Sequence, residues 1–142
     1  MPSEHKQTYD AFVVDGLKLF SLSDNHKNYT LREFTNYFLY PLNNRKIRFF
    51  YENSQPRGLV TWCFLSHEKS EAFFKDDYIV REEDYVADEG DQLWCIEFIA
   101  PYSNTLKVAR GMQQHFRNLY PKGHKTSWKR FGRMDYKGRG YF

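Results

Sequence analysis

The sequence predicts an α/β (α+β) domain in which helices flank a mostly antiparallel sheet, and three observations carry that reading. Apolar residues recur at helical spacing until Asn43-Asn44. Beyond that point, residues 46–51, 59–65 and 92–100 are rich in aromatic and β-branched side chains, the composition of strands. A long helical pattern then separates the strongest of these strands from a basic C-terminal segment. Helices and half-buried strands in this order bury their apolar faces by packing helix on sheet. At 142 residues the chain suits one domain, residues 1–142, with room for a real core.

The elements follow in turn. Tyr9, Phe12, Val13, Leu17 and Phe20 predict a first amphipathic helix, broken by the turn formers of residues 21–28. Thr30 and Glu33 have the spacing of a capping box, so a second helix starts there and is expected to stop near Pro41. Residues 46–51 and 59–65 predict a hairpin around residues 52–58, which hold Pro56 and Gly58. A short helix at 66–75 and an acidic loop at 76–91 come next. Residues 92–100 form the central strand, ended by Pro101. Ser103 is expected to cap a helix over about 105–120, with Leu106, Ala109, Met112, Phe116 and Leu119 inward and Pro121 and Gly123 closing it. One or two basic strands finish the chain.

The net charge of +3 conceals an asymmetry. Residues 122–142 hold seven Lys or Arg against Asp135, whereas residues 68–91 hold ten Asp or Glu against three bases. The basic segment interleaves Trp128, Phe131, Tyr136, Tyr141 and Phe142, a pattern that suits nucleic acid or any acidic macromolecule. It equally suits an edge strand protected by charge. No apolar run approaches the ~20 residues of a membrane span, and residues 1–10 lack the pattern of a secretory signal. Cys63 and Cys95 lie in apolar runs and read as buried, reduced thiols, so a cytoplasmic address is expected.

Two residues stand out as chemistry. Strict alternation puts Leu93, Cys95, Glu97 and Ile99 on one face of the central strand and Trp94, Ile96, Phe98 and Ala100 on the other. Both faces are then apolar except at Glu97. A buried carboxylate must be protonated, paired or set in a cleft, whether as a proton-handling group or as a structural ion-pair partner. His26 lies in a polar junction between helices, where Ser23, Asp24, Asn25 or Asn28 can orient its ring; a surface or capping histidine has the same pattern. His5, His67, His115 (read as outward-facing) and His124 compete with it, and none has metal-ligand spacing, so no metal is expected. There is no P-loop or GxGxxG. Gly111 is superficially like a residue of a pyrophosphate-binding loop, but Met112 and Gln113 follow it where small residues are needed, which argues against acyl-CoA.

These residues also carry a resemblance. Residues Ser23-Asp24-Asn25-His26-Lys27-Asn28-Tyr29 resemble the segment Ser-x-x-His-(Arg or Lys)-Asn-(Trp or Tyr) of the RTX toxin-activating lysine acyltransferases. Leu93 through Tyr102 resembles that family's strand Trp-Phe-Ile-Asp-(Trp or Phe)-Ile-Ala-Pro-(Phe or Tyr), and Gly58 through Ser66 is similar to its hairpin strand. The resemblance implies an N-acetyltransferase-like fold. It implies transfer of a fatty acyl chain from acyl-acyl carrier protein, a co-substrate and not a bound cofactor, to internal lysines of an RTX protoxin. It puts the catalytic pair on His26 and Glu97, with Ser23 in support. Glu97 stands where the family has Asp, and the chain ends at Phe142, before the family's usual C-terminal extension. A homodimer is a candidate assembly; no nucleic-acid partner is expected. The competing expectations are a divergent acyltransferase with another donor or substrate, and a non-catalytic binding module built on the basic aromatic segment.

Overall fold

Thr8 starts the first helix of the computed structural model, which describes residues 8–88, 90–129 and 137–141, with residues 129 and 137–141 described by backbone alone. Its hydroxyl accepts the Ala11 N–H at 3.1 Å and caps α1 (Tyr9–Leu22). The capping box at Thr30 and Glu33 forms as predicted and opens α2 (Leu31–Phe34). A π-helical turn (Thr35–Leu39) then leads into α3 (Tyr40–Asn43). The helical segment therefore passes through Pro41 where the sequence predicts a stop. Pro41 occupies the first turn of α3, where a missing N–H is tolerated, and the wide turn before it gives the ring room.

The hairpin is longer and its turn tighter than expected. β1 (Ile47–Glu52) and β2 (Gln55–Leu65) leave only Asn53 and Ser54 between them, both at positive φ of 52° and 65°. Two such residues twist the chain in the sense that antiparallel strands require. Pro56 and Gly58 thus sit inside a strand, with a register slip opposite them between Phe50 and Tyr51.

α4 (His67–Phe74) is capped by Ser66, and residues 76–91 are more than an acidic loop. A 3-10 turn (Glu82–Tyr85) carries Asp84 and Tyr85 inward, beside buried Val80. β3 (Gln92–Ile99) pairs antiparallel with β2. After it, Ser103 takes a left-handed turn (φ 58°) and Asn104, not Ser103, occupies the cap position of α5 (Thr105–Leu119). The inward residues of α5 are Val108, Met112, His115 and Phe116. Leu106, expected inward, is exposed because two residues on a helix turn the side chain roughly 160° away from Val108. Leu119 in the last turn is exposed too. His115, expected outward, is half-buried with its ring edge-on to Trp62 at 5.4 Å, and burial lowers its pKa.

β4 (Lys125–Lys129) and β5 (Lys137–Tyr141) complete a five-stranded sheet in the order β1-β2-β3-β4-β5. β3 and β4 alone run parallel, because α5 carries the chain back between them. The other neighbours are antiparallel, as the predicted class requires. One face of β2 and β3 packs Leu59, Cys63, Leu65, Trp94 and Ile99 under α1, the 31–43 helical segment, α4 and the 3-10 turn. The other packs Val60, Trp62, Phe64 and Leu93 under α5. Gly111 belongs to this second layer: a Cβ there would meet the Phe50 ring at 2.4 Å, so its role is close packing of α5 on β1. Cys63 and Cys95 are free and buried, and Phe131, Tyr136 and Phe142 lie outside the described residues. No described helix is long and apolar enough to cross a membrane.

Candidate active site

The loop from α1 to α2 is wound tightly on itself. The N–H groups of His26 and Lys27 both donate to the Ser23 carbonyl, at 3.0 and 2.8 Å, and Tyr29 N–H donates to the His26 carbonyl at 3.0 Å. This winding turns Asp24, Asn25, Lys27 and Asn28 outward and His26 inward. His26 is only 4% exposed, so the junction that looks polar in sequence encloses a buried imidazole. The Phe20 ring lies edge-on to it at 5.4 Å and Tyr29 lies at 5.3 Å. Of the neighbours expected to orient the ring, Ser23 does so, its Oγ 2.5 Å from Nδ1, while Asp24 pairs with Lys27 at 3.1 Å.

Glu97 reaches the same point from the sheet. Strict alternation fails along β3, because its register against β2 slips between Thr61 and Trp62. Leu93 and Phe98, expected on opposite faces, pack in one cluster under α5, while Trp94 and Ile96 pack with Cys63 on the face that Glu97 shares with Thr61. Cys95, expected beside Glu97, is instead paired opposite Trp62. A bulge of this kind re-aims a side chain that regular pleating would point elsewhere. Glu97 N–H donates to Thr61 Oγ1 at 3.0 Å, which holds the strand at the irregularity.

The two residues meet: His26 Nε2 lies 2.6 Å from Glu97 Oε2. Tyr29 hydroxyl donates to both carboxylate oxygens at 3.1 Å each. Glu97 is 1% exposed, and burial raises its pKa while the bonds from His26 and Tyr29 pull against that rise. Burial and the facing carboxylate together push the Tyr29 phenol far up, so it keeps its proton and can donate to Glu97. Sequence reasoning missed Tyr29. The available signal was a hydroxyl-bearing aromatic three residues after His26, within the segment already singled out.

The other histidines lie elsewhere. His67 opens α4 and is exposed, His124 packs on Phe64 and Tyr120, and His5 lies outside the described residues. Among the described residues no three His, Cys, Asp or Glu stand together as a metal site. A cleft of about 760 Å³ opens between β1 and the start of α5, lined by Arg48, Phe50, Arg57, Tyr102 and Lys107, and none of Ser23, His26, Tyr29 or Glu97 lines it.

Comparison with known proteins bears on the same segments. A model of the RTX toxin acyltransferase family matches residues 15–138, a span that includes both halves of the site. The chain belongs to this family. It is similar to the RTX-II toxin-activating lysine-acyltransferase ApxIIC of Actinobacillus pleuropneumoniae, with 24% identity over 98 residues. That match covers 69% of this chain and 60% of the relative, so the relative is compared over only part of its length.

Proposed function

We propose that this protein transfers a fatty acyl group from acyl-acyl carrier protein to lysine ε-amines of an RTX protoxin in the cytoplasm, with His26 and Glu97 as the reacting pair and Ser23 in support. The observation that carries the assignment is the 2.6 Å contact between His26 and Glu97, which come from separate segments of the chain. Family membership supplies the reaction class.

The chemistry follows from which atoms are occupied. With Glu97 ionised, Nε2–H donates to the carboxylate, and Nδ1 carries the lone pair facing Ser23 Oγ. A lysine ammonium titrates near ~10.4, so it must lose a proton before its nitrogen can attack a thioester. The His26 imidazole can take that proton through its Nδ1 lone pair, with the Ser23 hydroxyl beside Nδ1 as a relay. The amine nitrogen then bonds to the carbonyl carbon, the carbon–sulfur bond breaks, and the departing thiolate takes the proton held by the imidazolium. The regenerated imidazole accepts the second proton, shed by the acylated nitrogen, and passes it to solvent. In a second route Nδ1 attacks the thioester carbonyl, the carbon–sulfur bond breaks, and the acyl group then passes from Nδ1 to the amine. The released thiolate takes one of the two protons the lysine nitrogen sheds, and solvent takes the other. Glu97 has the same task in both: it fixes the ring and stabilises its cation.

The donor assignment rests on what the chain offers to each candidate. Gly111 is engaged in packing against Phe50 and is followed by Met112, so it supplies no loop for a CoA pyrophosphate. The basic segment 122–142 complements acyl carrier protein, which is acidic. The test is mass spectrometry of the cognate toxin polypeptide, produced with and without this protein. A fatty acyl mass on lysine is expected only in its presence. An unmodified toxin, or efficient turnover of purified enzyme on acyl-CoA without the carrier protein, would overturn the activity or the donor respectively.

A further inference from the structure

We infer that Tyr29 is a positioning residue for the reaction, its hydroxyl clamping both oxygens of Glu97 so that Oε2 is held against His26. The inference rests on the proposed roles of His26 and Glu97 and adds a third member that acts through the carboxylate.

A glutamate at this position has one more rotatable bond than an aspartate, and so more ways to misplace its oxygens. Tyr29 removes that freedom. Its hydroxyl stands 3.1 Å from Oε1 and 3.1 Å from Oε2, a symmetric contact that fixes the plane of the carboxylate. The phenol is itself fixed by rings on three sides: Phe20 at 5.6 Å, His26 at 5.3 Å and Tyr37 at 5.8 Å. The same tight loop that presents His26 also presents Tyr29, through the Tyr29 N–H to His26 carbonyl bond. One loop therefore delivers both the imidazole and the group that aims its partner.

The titratable groups around Glu97 are His26 and Tyr29 from the loop, Glu33 and Tyr37 from the helical segment, Tyr85 from the 3-10 turn and Cys95 from β3. Among them Tyr29 donates directly to the carboxylate, and His26 Nε2 lies 2.6 Å from it. Losing its hydroxyl withdraws a bond from the ionised form, so Glu97 should then hold its proton to higher pH.

The experiment compares wild type, Tyr29→Phe, Glu97→Gln and the double variant. Phe keeps the ring contacts, so Tyr29→Phe is expected to fold. Its kcat should fall about ten- to a hundredfold with KM for toxin and donor within about twofold, and the acid limb of its pH–rate profile should move upward. In the Glu97→Gln background the same change should cost little more, because the clamped group is already gone. A direct NMR titration of the Glu97 carboxyl should show an upward shift in Tyr29→Phe, a readout independent of turnover. Full activity of Tyr29→Phe, or an unchanged Glu97 titration, or losses that simply multiply in the double variant, would overturn the clamp. Full activity of Glu97→Gln would instead overturn the underlying pair.

Discussion

Glu97 and Asp84 are both buried carboxylates, 1% and 5% exposed, and the structure satisfies them in different ways. Asp84 accepts from Lys69 Nζ at 3.1 Å, Tyr78 hydroxyl at 2.6 Å and its own neighbour Arg81 N–H at 2.8 Å, all within the stretch from α4 to the 3-10 turn. Asp84 in turn raises the pKa of Lys69, so the ammonium is locked in its charged form and the network has one state. Glu97 is held by His26 and Tyr29, the latter 68 residues away in sequence. One of its partners is an imidazole, whose ring nitrogens can either carry or accept a proton. Burial alone therefore does not mark a carboxylate as functional. What distinguishes Glu97 is a partner that can exchange a proton and a connection that joins separate parts of the chain.

The most severe test of this contrast is His26→Ala. Acyl transfer should fall by ~10²–10⁴-fold or below detection, measured per folded molecule on purified variant. Because the ring is buried and Glu97 would be left with one partner fewer, the melting temperature should fall as well, unlike what a polar junction would suggest. Wild-type rates would remove His26 from the reaction.

Glu97→Gln should lower activity about a hundredfold or more while leaving stability nearly unchanged or higher, since a buried charge is removed without loss of volume. The pH dependence has a definite sign. The folded-state pKa of Glu97 is raised, so between the ordinary glutamate value near ~4.3 and that raised value the folded chain holds a proton that the unfolded chain has released. Wild-type stability from this group is full below that window and declines as pH rises through it. Unfolding curves across that range should show Glu97→Gln gaining on wild type with increasing pH; a constant gap would mean the pKa is not raised. Glu97→Asp sharpens the geometry: activity survives if the shorter arm still reaches Nε2 and is lost if the bulge has adjusted to Glu.

Asp84→Asn should show the reverse pattern and the smallest effect on chemistry. Stability should drop by about 1–3 kcal/mol, the range for hydrogen bonds to a charged group, discounted because Lys69 is 39% exposed. Activity per folded molecule should stay within about twofold. Calorimetry and rate measurements on one preparation separate the two, and an activity loss as deep as that of Glu97→Gln would erase the distinction drawn between the carboxylates.

Much of this was legible in local sequence. The capping box at Thr30 and Glu33, the central strand and the isolation of Glu97 all depend on residues within a few positions of one another. What was not legible depends on a partner elsewhere in the fold. The slip that sets Glu97 opposite Thr61 is a property of two strands, so alternation within β3 alone put Cys95 beside it. The burial of His26 comes from Phe20 and Tyr29 closing over a loop whose own composition is polar. Pro41 was read by its usual rule, and the π turn that evades the rule has no sequence mark. Leu106 failed because a small error in the phase of an amphipathic helix reverses a residue's face.

The division of the site between a loop and a strand makes the His26–Glu97 contact a reporter of tertiary closure. The five strands are held by their own ladders, none of which passes through residues 23–29. A fluctuation that lifts the α1–α2 loop from the sheet would dissolve the contact while every strand stays paired, and partial openings cost less than global unfolding. Inactivation on warming or in mild denaturant is then expected to precede the loss of β-structure, and hydrogen exchange at the amides of His26 and Tyr29 should outrun that in β2 and β3.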